Sequence, residues 1–231
     1  MRKRGNGVKY RAILFDFDYT LGDSTPAIVI GYQQGMTAMG WPAPTEAQVR
    51  PTIGMTLQNG YTMICGDESE ERRKEFFERF QDAVGVRAVN KGILTMVEKT
   101  RLFPGTAELL TAIREAGVTV GIVSTKTGSI IEKIFAHQKL DHLPALIIGG
   151  EHVTRPKPDP QGLLSALERL GMQAEEVLFC GDTVIDAKTA QAAGCEFCAV
   201  LNGTTPAEEF EAYPHVHIAP ALPELQSWLG L

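Results

Sequence analysis

Short apolar runs of strand length recur along the chain, and they constrain its fold more than any other feature. Three of these runs are apolar at every position and two others mostly so, which is typical of strands that are buried on both faces of a parallel sheet. The runs span residues 11–15, 118–123, 145–148, 177–180, 197–200 and 215–218. Segments with helical patterns separate them from residue 104 onward. The sequence therefore predicts an α/β fold with a doubly wound parallel sheet.

Start and stop signals mark several of the intervening helices. Asp159 is suited to cap a helix whose first position is Pro160, and Gly171 is suited to end that helix in the left-handed conformation. Segments 106–117 and 183–194 follow a similar pattern. The signals predict short connections between strands and helices.

Residues 22–98 interrupt this alternation. They contain no convincing buried strand, two proline-containing breaks, at 41–44 and 50–51, and a charged amphipathic stretch at 68–80. We expect an all-helical cap domain at 22–98, inserted into a core domain made of 1–21 and 99–231. Since ligands bind beyond the carboxyl ends of the strands in open α/β sheets, we expect the insertion to cover a site there.

Charge and hydropathy narrow the function classes. The chain has 28 acidic and 22 basic residues, a net charge of -6, which argues against broad binding of nucleic acid or an anionic membrane. We interpret the basic residues near the start of the chain as a solvated tail: Arg2, Lys3, Arg4, Lys9 and Arg11. With no apolar run long enough to span a membrane and no signal-peptide pattern, we expect a cytoplasmic protein.

Asp16 and Asp18 follow the first apolar run. Two carboxylates two residues apart at the end of a buried strand are costly unless a cation compensates them, and a divalent metal is the simplest cation. The pair alone is a common accident, so the residues that follow the other strands decide the interpretation.

Polar side chains also follow the later runs. Ser124-Thr125-Lys126 comes after the second run and Asp182 after the fourth, with Asp186 four residues on, while Lys157 stands between two prolines. In a doubly wound sheet these segments converge on the edge that holds Asp16 and Asp18. Acids, a hydroxyl and an ammonium together suit metal-assisted phosphoryl chemistry.

With these four motifs in order, the sequence resembles a haloacid dehalogenase-superfamily hydrolase with a helical cap inserted after the first motif. Within that superfamily it is most similar to the phosphoglycolate phosphatase and cytosolic pyrophosphatase branch, over nearly the whole chain. The resemblance implies that Asp16 is the nucleophile, that Asp18 is the general acid and base, that Ser124 binds a phosphoryl oxygen, and that Lys157 neutralises charge.

The resemblance also implies a Mg²⁺ cofactor. Asp16, the backbone carbonyl of Asp18 and Asp182 would hold the ion, with Asp186 contributing directly or through another ligand. Alternatively, Asp186 is only a polar residue in the first turn of a helix, where the helix dipole favours a carboxylate.

Tyr19 departs from the family pattern, which usually has glycine after the second aspartate. The tyrosine implies that the backbone there either keeps a negative φ or accepts strain. The presence of Asp18 favours cleavage of phosphate over carbon–halogen bonds, because the dehalogenases of the family lack a carboxylate at that position.

Substrate contacts are expected from the cap and from the strand ends. The resemblance places Arg50 and Gly54 in a cap loop that approaches the leaving group, with Thr20 and Thr125 as further binding residues. All of these except Gly54 also have a plain structural interpretation, and so does Lys126. Arg50 would be a surface residue, Thr20 would cap a turn, Thr125 would cap the next helix, and Lys126 would be solvated.

The sequence thus predicts a Mg²⁺-dependent phosphatase that acts on a small phosphorylated metabolite, with 2-phosphoglycolate as the first expectation. An inorganic pyrophosphatase or a sugar-phosphate mutase would use the same residues. A phosphoacceptor signalling module or a catalytically silent binding protein are alternatives from other classes. We expect a monomer or a homodimer.

Overall fold

The computed structural model of the protein describes residues 7–231. Within these residues the strands are β1 (Ala12–Phe15), β2 (Gly22–Asp23), β3 (Arg101–Leu102), β4 (Thr119–Val123), β5 (Leu146–Ile148), β6 (Val177–Gly181), β7 (Glu196–Val200) and β8 (His217–Ala219). Six of them coincide, within two residues at either end, with the predicted apolar runs. The other two, β2 and β3, are two residues long and pair with each other.

Helices occupy most of the remaining chain. They are α1 (Thr25–Ala38), α2 (Glu46–Val49), α3 (Leu57–Cys65), α4 (Glu70–Ala83), α5 (Val86–Asn90), α6 (Thr95–Lys99), α7 (Thr106–Glu115), α8 (Gly128–His137), α9 (Gln161–Leu170), α10 (Val184–Ala193), α11 (Ala207–Phe210) and α12 (Leu222–Trp228). Short 3₁₀ turns lie at Arg50–Thr52, Gly150–His152 and Ala174–Glu176. No helix in this part of the chain combines the length and the apolar character needed to cross a membrane.

The long sheet confirms the predicted α/β class. Its strand order is β5-β4-β1-β6-β7-β8, and every neighbouring pair is parallel. The chain moves outward from β1 to β4 and β5, then returns to the other side of β1 for β6, β7 and β8. Strand order therefore reverses at β1 and β6, and such a switch point is where open α/β sheets bind ligands.

Burial explains why the apolar runs became strands. All four residues of β1 and the first four of β6 have no exposed surface. A strand that is covered on both faces gains from apolar side chains at every position rather than at alternate ones. This pattern is the sequence signal from which the sheet could be predicted.

The chain divides into two compact units. One is formed by the chain up to Gly22 together with Leu102–Leu231, and it contains the six-stranded sheet. The other, Asp23–Arg101, contains α1 to α6 and is called the helical unit below.

An aromatic cluster lies between α1 and α4 in the helical unit. The ring of Tyr32 lies 4.9 Å from that of Phe76 and 5.8 Å from that of Phe80, and Tyr61 stacks on Phe76. Gly31 allows this close approach, because a Cβ there would lie 2.4 Å from the Phe80 ring. The unit therefore has its own packed interior.

Two local predictions need correction. Helix α9 begins one residue later than expected, with Pro160 at the capping position, although Asp159 Oδ1 still accepts a hydrogen bond from the Gln161 N–H. Lys9 and Arg11 are more than half exposed, as expected of solvated residues, but they are tied to the fold by ion pairs with Glu196 and Glu176. The first three basic residues of that predicted tail lie outside the described residues: Arg2, Lys3 and Arg4.

Candidate active site

Three carboxylates meet at the carboxyl edge of the sheet, at the switch point. Asp16 follows β1, Asp182 follows β6, and Asp186 lies in the first turn of α10. Each offers a carboxylate oxygen that lies within 4.8 Å of the oxygens offered by the other two. All three side chains are buried, so their negative charge is costly unless positive groups compensate it.

Lys157 brings one positive charge to this cluster from the loop before α9. Its Nζ lies 3.0 Å from Asp16 Oδ1 and 2.6 Å from Asp186 Oδ1, with 5% of the side chain exposed. Burial acts to lower the pKa of Lys157, but the charges of Asp16 and Asp186 outweigh it and hold the pKa above its ordinary value. The ammonium is therefore charged at neutral pH.

Asp16 contacts both Lys157 and Ser124. Burial raises the pKa of Asp16 to about 6, against the opposing effects of the Lys157 charge and of a hydrogen bond from Ser124. Although Asp16 Oδ1 lies 3.0 Å from Lys157 Nζ, the two are not aligned as a hydrogen bond, and this buried oxygen has no hydrogen-bond partner. This oxygen therefore retains acceptor capacity for an electrophile.

Asp182 is held by neighbours on both oxygens. The Thr20 hydroxyl donates to Asp182 Oδ1 at 2.9 Å, and Gly203 lies so close to Oδ2 that a Cβ there would be 2.1 Å away. Burial, with the charges of Asp186 and Asp16, raises the pKa of Asp182 well above its ordinary value. Asp182 thus resists ionisation beside the other two acids unless a cation in addition to Lys157 is present.

Asp186 uses both of its oxygens within the protein. Oδ1 accepts from Lys157 Nζ, and Oδ2 accepts from the N–H and the hydroxyl of Thr183, which caps α10 in return. The interpretation as a polar residue in the first turn of a helix is confirmed, whereas a role in binding metal stays a prediction. The residue sits in the first turn of a helix, and it also anchors the site lysine.

The donors in this site fit a divalent cation with oxygen ligands. One ammonium faces three buried carboxylates, and the Asp16 oxygen nearest to that ammonium lacks a hydrogen bond. Mg²⁺ prefers carboxylate oxygens together with retained water molecules. Asp16 and Asp182 are the acids best placed to hold it, because Asp186 is already engaged by Lys157 and Thr183.

Ser124 follows β4, the neighbour of β1 on the other side. Its side chain is buried, its hydroxyl hydrogen-bonds Asp16, and its Oγ accepts the Lys126 N–H. Thr125 is half-buried and lines a small cavity together with Ser124 and Lys157. The interpretation of Thr125 as a helix cap is wrong, because α8 starts at Gly128 and its first N–H groups are capped by Glu151.

The interpretation of Lys126 as a solvated residue is also wrong. Only 8% of its side chain is exposed, and Nζ lies 3.2 Å from Oδ1 and 3.1 Å from Oδ2 of Asp18. The Asp18 carboxylate is therefore not one of the three clustered acids, and it pairs with Lys126 instead. Sequence reasoning missed the pair because the turn after β4 redirects a side chain that the pattern alone would leave in solvent.

Tyr19 has a φ of 60°, so the alternative with a negative φ is wrong and the strained alternative is observed. Its N–H donates to the Gly22 carbonyl at 2.8 Å, and the side chain is buried. A bulky residue in this region costs of order 1–3 kcal/mol. Tyrosine therefore occupies a left-handed conformation that glycine would adopt without this strain.

Two predicted binding residues belong to the helical unit. Arg50 begins a 3₁₀ turn and pairs with Glu46, at 2.6 Å between Nη2 and Oε1. Gly54 has a φ of 94°, which favours glycine. Their role in binding substrate stays a prediction.

Sequence reasoning identified no motif in the loop after β7. Asn202 donates from Nδ2 to the Thr20 carbonyl at 3.1 Å, and Gly203 packs on Asp182. Thr20 is fully buried, with its hydroxyl on Asp182, so it supports that carboxylate. The available signal was an Asn-Gly pair at 202–203, one residue beyond the buried strand β7 and at the same edge as the acids.

Comparisons with known proteins agree with this geometry. The sequence model for "Haloacid dehalogenase-like hydrolase" matches residues 13–200, a range that contains all of the clustered acids and both lysines. The N-acetylmuramic acid 6-phosphate phosphatase of Pseudomonas aeruginosa is 31% identical over 89% of this chain and 88% of its own. The phosphoglycolate phosphatase of Vibrio parahaemolyticus is 29% identical over 93% of this chain and 94% of its own.

A solved structure is also similar over nearly the whole chain. A haloacid dehalogenase-like hydrolase from Bacteroides fragilis superposes with a TM-score of 0.86 and is 38% identical, covering 94% of this chain and 100% of its own. Together with the family match over most of the chain, this likeness identifies the fold and the family. The protein belongs to the haloacid dehalogenase-like hydrolases and is a phosphatase of that family.

Proposed function

We propose that the protein is a Mg²⁺-dependent phosphatase that hydrolyses a small phosphomonoester in the cytoplasm through an aspartyl-phosphate on Asp16. The observation that carries the proposal is the environment of Asp16. Its Oδ1 is buried, lacks a hydrogen bond and lies 3.0 Å from the Lys157 ammonium, and its carboxylate clusters with those of Asp182 and Asp186. A bound Mg²⁺ would supply positive charge that stabilises the transferring phosphoryl group.

In the first step, a carboxylate oxygen of Asp16 attacks phosphorus, and the bond from phosphorus to the ester oxygen breaks. The protonated Asp18 donates its proton to the departing oxygen, so the product leaves as an alcohol. Lys157 and the Ser124 hydroxyl stabilise the negative oxygens of the transferring group, a role that is electrostatic and positional.

In the second step, Asp18 is a carboxylate and accepts a proton from water. The water oxygen attacks phosphorus, and the bond from phosphorus to Asp16 breaks, which releases inorganic phosphate and restores both aspartates. Asp18 acts as acid and then as base, so its carboxylate must stay oriented toward the reacting oxygen through both steps.

The relatives support two substrate candidates. 2-Phosphoglycolate remains the first, because several curated relatives bear the name phosphoglycolate phosphatase. N-acetylmuramic acid 6-phosphate is the second, because relatives from two Pseudomonas species are phosphatases of that compound. Arg50 and Gly54 of the helical unit, with Thr20 and Thr125, are proposed to contribute to the choice between them.

A panel assay tests the proposal. Purified protein with Mg²⁺ should release phosphate from at least one of 2-phosphoglycolate, N-acetylmuramic acid 6-phosphate and other sugar phosphates, and chelation of the metal should stop the release. Pyrophosphate and a search for isomerised sugar phosphates cover the pyrophosphatase and mutase alternatives. Asp16→Asn is the matched control, because it keeps the size of the side chain and removes the nucleophile. Failure to turn over any phosphorylated compound would overturn the proposal.

A further inference from the structure

We infer that Lys126 is a positioning residue of the active site, which fixes the orientation of the Asp18 carboxylate. The inference rests on the proposed function, because it is there that Asp18 acts as acid and base. It adds a second lysine to the machinery, with a task different from that of Lys157.

The contact between the two side chains is close and enclosed. Lys126 Nζ approaches both oxygens of Asp18, at 3.1 and 3.2 Å, and the two side chains are 8% and 10% exposed. In the described part of the chain, Lys126 is the base that forms an ion pair with Asp18. A cation centred on both oxygens restricts rotation of the carboxylate about its own axis, which an exposed, solvated pair would not do.

Lys126 is itself held in place by its surroundings. Its N–H donates to Ser124 Oγ, and its carbonyl accepts from the Gly150 N–H at 3.0 Å. Gly150 fits closely against this turn, because a Cβ there would lie 2.4 Å from the Thr125 carbonyl oxygen. The ammonium lies 5.8 Å from the centre of the buried Phe17 ring. The backbone of the lysine is thus fixed by the same turn that presents Ser124.

The two lysines divide the two aspartates between them. Lys157 pairs with Asp16 and Asp186, whereas Lys126 pairs with Asp18. Asp16 and Asp18 are only two residues apart, so without separate partners both would compete for the same positive charge. The arrangement keeps one carboxylate for attack on phosphorus and the other for proton transfer.

Replacement of Lys126 by methionine tests the inference, because methionine keeps an unbranched side chain and removes the charge. In single-turnover reactions with Mg²⁺, transfer from an alkyl phosphate that the wild type hydrolyses should slow by about 10- to 100-fold, part of the 10² to 10⁴ that a positioned acid or base contributes. Transfer from p-nitrophenyl phosphate, whose leaving group needs no proton, should change far less. The KM of both esters should stay close to that of the wild type.

Lys133→Met is the matched control, since Lys133 is an exposed lysine of α8, and it should leave all rates unchanged. In the Asp18→Asn background, Lys126→Met should cause little further loss, because the residue acts through Asp18. A raised KM with an equal loss for both esters would overturn the inference and assign Lys126 to substrate phosphate. Wild-type rates in a folded Lys126→Met variant would overturn it as well.

Loss of a buried charge partner could prevent folding of Lys126→Met. Lys126→Arg then serves, because it keeps the charge and changes the geometry. It should slow transfer from the alkyl ester selectively, and wild-type behaviour would contradict the inference. Failure of the proposed function would give a different result, because the wild type itself would then hydrolyse no ester. In that case the inference about Lys126 would also be wrong.

Discussion

Gly203→Ala should weaken the proposed magnesium site although it replaces none of the acids of that site. A Cβ at this position would lie 2.1 Å from Asp182 Oδ2, whereas real Cβ atoms essentially never approach below 3.0 Å. The carboxylate or the loop must therefore move by about 1 Å. The carboxylate has little freedom to do so, because the Thr20 hydroxyl holds its other oxygen at 2.9 Å.

The size of the effect follows from the geometry that Mg²⁺ requires. Its oxygen ligands lie at about 2.0–2.1 Å in a near-ideal octahedron, so a 1 Å displacement removes a ligand from bonding distance. Disturbance of the groups that orient metal ligands costs about 10- to 100-fold in affinity. The Mg²⁺ concentration for half-maximal activity should rise by about that factor, and kcat at saturating metal should fall less.

The assay is phosphate release as a function of Mg²⁺ concentration, with thermal denaturation of the chelated protein alongside. Thr204→Ala is the control, because Thr204 is the next residue and is exposed, and its titration should match that of the wild type. Strain from the added methyl group alone would lower the denaturation temperature without changing the metal requirement. Overlapping Mg²⁺ titrations for Gly203→Ala and wild type would refute the assignment of Asp182 as a metal ligand.

Three further predictions concern stability and charge. Burial raises the pKa of Tyr32 to about 12, whereas an unfolded tyrosine ionises near pH 10. The unfolded state therefore loses its proton first, and the free energy of unfolding should fall by about 2–3 kcal/mol as the pH rises from 10 to 12, at 1.36 kcal/mol per unit. Tyr32→Phe should remove that part of the alkaline slope, as measured by urea denaturation across this range. Lys157→Met should abolish measurable phosphate release and lower the free energy of unfolding by about 3–5 kcal/mol, because it leaves Asp16 and Asp186 buried without their cation. Glu151→Gln should cost about 1 kcal/mol in the same denaturation assay, because Glu151 caps the first N–H groups of α8.

Each of these predictions has a contradicting result. An alkaline slope unchanged in Tyr32→Phe would mean that Tyr32 ionises at the same pH in both states. Lys157→Met with wild-type stability would mean that the acids are compensated in another way. Glu151→Gln with wild-type stability would place the capping of α8 elsewhere.

The strands were the most predictable part of the fold. Full burial on both faces makes the central strands β1 and β6 continuous apolar runs, which are visible without any tertiary information. The positions of Asp16, Ser124 and Asp182 follow from the same signal, because each comes directly after such a run. Their convergence could be predicted once the sheet was known to be parallel.

The partners of these residues could not be predicted in the same way. The pairing of Lys126 with Asp18 joins positions 108 residues apart, and it depends on the direction of one turn after β4. The closeness of Gly203 to Asp182 depends on where the loop after β7 passes. Patterns along the chain report burial and local turns, whereas these contacts depend on three-dimensional packing.

Tyr19 shows the limit of local rules. Residue preference alone argues against a φ of 60° for tyrosine, yet the surrounding turn imposes it. The hydrogen bond from the Tyr19 N–H to the Gly22 carbonyl and the burial of the ring hold the conformation. Local preference was overruled by tertiary contacts at a position next to the proposed acid and base.

The most direct test of the account is to find where the phosphoryl group resides during turnover. The enzyme should be mixed with Mg²⁺ and an ester that it hydrolyses, quenched in acid, digested and examined by mass spectrometry. The account predicts one added phosphoryl group on the peptide that contains Asp16, and none in Asp16→Asn. A phosphoryl group on another residue, or wild-type rates of phosphate release from Asp16→Asn, would contradict it.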